Sequence, residues 1–251
     1  MYVGRGGYPK LLLYGEYRKD CLSPSLMSAM NLYTSNEDIL TSNNVWWRDL
    51  EVLPGTIVGV RVNDGVVIGG EKRLTYNGFI LSRNTRKVYP ITDHVGVGFA
   101  GLMGDIEFLV KILKLEARNY RLQLNREIKP KGLAKILSII LYSYKLAPLL
   151  TEVIVGGYSS DGPQLFVLDP VGSLIEERYT ALGSGGRVAI GYIEPRYKED
   201  LDIRDAKELV INGIKTAIER DAVSGDGVDL LVITSEGYKL EEYLFKRESK
   251  V

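Results

Sequence analysis

Gly55-Thr56-Ile57-Val58-Gly59-Val60-Arg61-Val62, then Asn63-Asp64-Gly65, then Val66-Val67-Ile68-Gly69-Gly70: two β-branched runs flank a three-residue turn. Asn-Asp-Gly between such runs is a strong turn signal. The spacing predicts a hairpin over residues 55–70 that opens the folded domain. Downstream, Lys87–Ile91 and Val95–Ala100 read as a third and fourth strand. The period then lengthens. Ile106, Leu109, Val110, Leu113 and Ala117 share one helical face after Gly104-Asp105.

A second helix is expected just after Pro130, with Leu133, Ile136, Leu137, Ile140 and Leu141 on one side and Pro148 beyond it. Strands return at Glu152–Tyr158 and Gln164–Leu168, joined by Asp161-Gly162-Pro163. Two further helices, over about 187–193 and 203–221, precede strands at Val228–Thr234 and Leu240–Phe245. Strand groups separated by helix pairs fit a layered α+β sandwich better than an alternating parallel sheet. No tandem repeat is evident.

The 251 residues suffice for a full core, and 32 basic residues balance 32 acidic ones. Neither a basic surplus nor a lysine block argues for nucleic acid or an anionic membrane as partner. Cys21 is the only cysteine and His94 the only histidine, so a disulfide framework, a Cys/His metal site and a Ser/His/Asp triad are all disfavoured. No metal and no cofactor are expected. His94, in Asp93-His94-Val95-Gly96-Val97, reads as a turn or strand-start residue. No stretch approaches the roughly 20 apolar residues of a membrane span, and Leu11-Leu12-Leu13 is too short for a signal-peptide core. The default expectation is a soluble, cytoplasmic protein.

Residues 1–53 differ in texture. They hold Trp46 and Trp47, the cysteine, three of the four methionines and a polar run from Thr34 to Asn44. Residues 1–54 are read as a weakly ordered, propeptide-like extension ahead of a domain over 55–251; a start codon set too far upstream, with Met27 or Met30 as the true one, is the other reading.

Six segments carry a resemblance. They are Pro54-Gly55-Thr56-Ile57-Val58-Gly59, Glu71-Lys72-Arg73-Leu74-Thr75, Ser82-Arg83-Asn84-Thr85-Arg86-Lys87-Val88-Tyr89, Ala100-Gly101-Leu102-Met103-Gly104-Asp105, Gly183-Ser184-Gly185 and Glu219-Arg220-Asp221-Ala222-Val223-Ser224-Gly225-Asp226-Gly227. In this order and at these separations the chain resembles β-type subunits of the proteasome core particle, from Gly55 to about Gly237. The aspartate-arginine turn typical of α subunits is missing. The resemblance implies a four-layer αββα sandwich of the N-terminal-nucleophile hydrolase type.

The family's chemistry is amide hydrolysis by an N-terminal threonine, whose hydroxyl attacks the carbonyl while its α-amino group serves as base. The resemblance places Lys87 beside the nucleophile and Glu71 beside that lysine. It gives Ser184, Asp221 and Ser224 to the holding of the amino group and its water, the backbone N–H of Gly101 to the oxyanion hole, and Phe99 to the substrate pocket. Read without it, Glu71 and Lys87 are a surface ion pair, Asp221 ends a helix and Ser184 sits in a turn.

The nucleophile is where this chain departs. Val58-Gly59 superposes on the family's Val-Gly, which puts Gly55 where the catalytic threonine belongs. Glu71 and Lys87 then lie the expected sixteen and thirty-two positions on. Glycine has no hydroxyl, so this register implies a non-catalytic subunit with its extension still attached. The alternative register makes Thr56 the nucleophile of an active threonine endopeptidase, with Gly55 before the scissile bond, at the cost of a one-residue deletion in the first strand. The implied partners are other proteasome β subunits, an α-subunit ring and unfolded polypeptide substrates, with a regulatory ATPase only indirectly. A small-substrate amidase of the same superfamily, or a plain binding module, would be the remoter readings.

Overall fold

The computed structural model describes residues 53–245. The extension expected over 1–54 therefore lies outside the described residues apart from its last two. The opening hairpin forms as expected: β1 (Ile57–Val62) and β2 (Gly65–Glu71) pair antiparallel, with Val62 opposite Gly65. Both strands are buried on both faces, which is why their sequence is a nearly unbroken β-branched run and not an apolar–polar alternation.

β3 (Leu74–Tyr76) and β4 (Phe79–Ser82) form a separate two-stranded hairpin, and β5 (Val88–Pro90) leads to β6 (Val95–Gly101). Two helices follow, α1 (Met103–Leu124) and α2 (Pro130–Ser143), the latter with proline in its first turn. Then come β7 (Thr151–Ser159), β8 (Gly162–Leu168), β9 (Leu174–Glu176) and β10 (Tyr179–Leu182). The chain continues through α3 (Gly186–Ile193), α4 (Ile203–Ile218), β11 (Gly227–Thr234) and β12 (Gly237–Leu244).

The strands make two five-stranded sheets, ordered β10-β1-β2-β11-β12 and β5-β6-β7-β8-β9. Every pairing is antiparallel. Strand alternation sorts the apolar side chains into layers. Val58, Val60 and Val67 pack with Ala189, Ile193, Val210 and Ile214, so α3 and α4 cover the outer face of the first sheet. Ile57, Val66 and Ile68 point the other way, to Val88, Ile154 and Leu165 of the second sheet. α1 and α2 pack on the far face of that sheet, against β6, β7 and β8, through Ile106, Leu109, Leu113, Leu133 and Leu137, all fully buried. The result is the expected α+β sandwich of four layers, αββα.

Several boundaries differ from the sequence reading. The β3–β4 hairpin and the short strands β9 and β10 were not anticipated. α4 ends at Ile218, not at Asp221, and β12 begins at Gly237. His94 does sit in the turn before β6, its Nε2 3.2 Å from the carbonyl oxygen of Ser235.

Candidate active-site pocket

The start of β1 meets five other segments at one end of the seam between the sheets. Strand alternation decides what each of its residues faces. Gly55 shares the side of Ile57, toward the second sheet, and Thr56 shares the side of Val58, toward α3 and α4. A Cβ built on Gly55 would lie 2.8 Å from Nζ of Lys87 and 3.1 Å from Oε1 of Glu71. Gly55 has φ of +104°, a conformation that favours glycine.

Lys87 and Glu71 are both buried and form a direct ion pair. Lys87 Nζ also donates to the Arg73 carbonyl at 2.8 Å. The second carboxylate oxygen of Glu71 accepts from the Arg73 N–H at 2.6 Å and the Gly225 N–H at 3.0 Å. Burial pushes the Glu71 carboxyl above its ordinary range, against the pull of the Lys87 ammonium and the two backbone N–H groups. This buried pair replaces the surface ion pair that the residues alone would suggest.

On the other side of β1, Thr56 is fully buried, and its hydroxyl lies 2.8 Å from Ser224 Oγ. Ser224 and Ser184 each donate to Asp221 Oδ2 at 2.6 Å. With its proton committed to Asp221, Ser224 accepts from Thr56. The Gly55 N–H donates to Ser184 Oγ at 3.0 Å. Ser184 follows a turn at Gly183, whose N–H donates to Glu152 Oε2 on β7 at 2.7 Å. Glu71, Lys87, Ser184, Asp221 and Ser224 therefore converge on Gly55-Thr56, with the lysine on the glycine side and the serine–aspartate cluster reaching both residues.

Gly101 closes the arrangement. Its N–H donates to the carbonyl of Pro54 at 3.0 Å, the peptide immediately ahead of Gly55. Its φ is +132°, and a Cβ there would fall 2.1 Å from the Leu150 carbonyl oxygen, so the position admits only glycine. Phe99, expected in the substrate pocket, is fully buried and edge-on to Tyr89 at a centroid distance of 6.3 Å. Gly96 and Gly98 take the seam-facing side of β6, where added Cβ atoms would meet Leu231 and Ile68. Phe99, of opposite parity, projects away from Gly55.

Arg73 and Asp226 went unrecognised in the sequence. The Arg73 guanidinium donates to Asp226 and to the Ala222 carbonyl, bracing the loop that carries Asp221, Ser224 and Gly225. Only the adjacency of Arg73 to Glu71 could have flagged it.

An αββα sandwich with a lysine–carboxylate pair set under the head of the first strand defines the N-terminal-nucleophile hydrolase class. The sequence profile described as "Proteasome subunit" matches residues 52–233. Proteasome subunit beta 1 of Staphylothermus marinus is 65% identical over 197 residues, covering 78% of this chain and 92% of that protein. Proteasome subunit beta 1 of Desulfurococcus amylolyticus is 63% identical over 195 residues, covering 78% and 96%. Proteasome subunit beta 2 of Caldivirga maquilingensis is 44% identical over 189 residues, covering 75% and 94%. The chain belongs to the proteasome subunit family, in its β-type branch.

Proposed function

We propose that this chain is a non-catalytic β-type subunit of a proteasome core particle. It would take part in intracellular protein degradation by filling β-ring positions, not by cleaving peptide bonds. One observation carries the reading: the side-chain direction that points at Lys87 belongs to Gly55, which has no hydroxyl to offer. Thr56, the next residue along the chain, lies on the opposite face of the strand and hydrogen-bonds to Ser224. The Pro54 carbonyl on the Gly101 N–H supports the same register. That N–H would be the oxyanion donor for a nucleophile at position 55, and the peptide it holds is the one such a nucleophile would attack.

In this reading Glu71, Lys87, Ser184, Asp221 and Ser224 form a degenerate pocket. The stretch ahead of Gly55 stays attached, because nothing at position 55 can release it. Partners are other β subunits, among them a threonine-bearing one that supplies peptidase activity on unfolded polypeptides, and an α-subunit ring in the cytoplasm. The ring contacts are heterologous and close only at a fixed rotation per subunit. Among the described residues no helix is long and apolar enough to cross a membrane.

Intact mass of the chain after co-assembly with its α and β partners tests this. Retention of the full 28.0 kDa is expected. A chain beginning at Thr56 would overturn it in favour of an active threonine endopeptidase.

A further inference from the structure

One carboxylate, Asp226, joins three parts of the pocket that are distant in sequence. Its Oδ2 accepts from Arg73 Nε at 2.9 Å, and its Oδ1 accepts from Arg83 Nη1 at 2.6 Å and from Arg73 Nη2 at 3.4 Å. Arg73 immediately precedes β3 and Arg83 immediately follows β4, so the same side chain pins both legs of that hairpin. A backbone bond from the Thr85 N–H to the Lys72 carbonyl, 2.9 Å, closes the hairpin's foot beside it. Two-stranded hairpins are marginal alone in water, so the pin matters to this one.

Asp226 also sits in the loop that serves the pocket. The residues just before it are Ser224, which receives Thr56, and Gly225, whose N–H binds Glu71. The Arg73 guanidinium lies flat against Gly225, where a Cβ would come within 2.2 Å of Nη2. The main chain of Arg73 meanwhile holds both members of the buried pair, its N–H on Glu71 and its carbonyl on Lys87. Asp226 itself adopts φ of +69°, which non-glycine residues rarely do and Asp and Asn tolerate best. Its side chain is only 12% exposed. A locally unfavourable backbone, an almost buried charge and two arginines converge on one residue outside the pocket.

We infer that Asp226 is a positioning residue: by clamping Arg73 and Arg83 it fixes the 221–227 loop against the β3–β4 hairpin and thereby sets where Glu71, Lys87 and Ser224 stand relative to position 55. For the reaction chemistry this rests on the reading of Gly55 as the nucleophile position.

Two measurements on the full chain in its assembled particle test the clamp. Asp226→Asn keeps the shape and the tolerance of positive φ while removing the charge. It should raise amide hydrogen exchange at Gly225 at least tenfold with the amides of α4 and β11 unchanged. Arg83→Ala should do the same, and Arg83→Lys should stay near wild type. In a Gly55→Thr background, Asp226→Asn should slow self-cleavage after Pro54 at least tenfold. Unchanged exchange at Gly225, or an unchanged cleavage rate, would overturn the clamp. If Gly55→Thr never cleaves while exchange at Gly225 still responds, the clamp is supported and the Gly55 reading fails.

Discussion

Gly55 faces Lys87 across the seam between the two sheets, so closely that a methyl group on the glycine would come within 2.8 Å of the ammonium nitrogen. Among the described residues the lysine pairs with the Glu71 side chain and the Arg73 carbonyl. A buried ion pair gains little for stability, since desolvation consumes much of its attraction. In the proposed reading this is a proton-transfer site beneath a position that carries no hydroxyl.

Restoring that hydroxyl should restore cleavage. In Gly55→Thr the new side chain enters the space beside Lys87, whose flexible end can shift to admit it, and the Pro54 carbonyl already rests on the Gly101 N–H. A threonine at φ of +104° is strained by about 1–3 kcal/mol, and cleavage relieves it because a free amino terminus has no φ. Intact mass should report a chain starting at residue 55 in the assembled particle. Persistent full-length chain would count against the register.

Thr56→Val tests the other face of the strand. It removes a hydroxyl donated to Ser224, a loss of about 0.5–1.5 kcal/mol because Ser224 keeps its bond to Asp221. Urea unfolding should show that small drop, and the mass of the chain should not change. Trimming that occurs in wild type and vanishes in Thr56→Val would restore Thr56 as a nucleophile.

Lys87→Met leaves the fully buried Glu71 carboxylate without its counter-charge, at a cost of about 3–5 kcal/mol. Adding Glu71→Gln should recover part of that loss, because the two residues couple through direct contact. Strict additivity in a denaturation cycle would show that the pair is not energetically linked.

Acid should find a weak point on β12. Burial works to raise the Glu241 carboxyl, but hydrogen bonds from Lys207, Tyr243 and Lys239 overcome it and hold the pKa at about 2, below its ordinary 4.5. A depressed folded-state pKa adds stability that is fully present above 4.5 and is lost as pH falls toward about 2. Thermal unfolding across that window should flatten in Glu241→Gln. An acid limb as steep as wild type would exclude this carboxylate as its source.

Much of the scaffold was legible. Asn63-Asp64-Gly65 announced the first hairpin, and helical spacing located α1 through α4 to within a few residues. Asn77-Gly78 carried the same kind of turn signal for the β3–β4 hairpin, and both residues do take positive φ, yet the flanking runs are too short to stand out. β9 and β10 have no pattern of their own, since their place comes from pairing with β8 and β1. The parity of Phe99, opposite to that of Gly96 and Gly98 on the seam side of β6, shows only once the second sheet is in place.

By itself the sequence determined the alternation of β1, and so the fact that residues 55 and 56 must point to opposite faces of the sheet; a period of two leaves no other choice. Only the tertiary structure decided which face holds Lys87 and Glu71 and which holds Ser224 and Asp221. Those partners are brought in from 129 to 168 residues away for Ser184 and Ser224, and their contacts exist only once the two five-stranded sheets and the helices that cover them have closed. The same holds for Arg73 and Asp226, 153 residues apart, whose charges meet because folding removes both from water at one point.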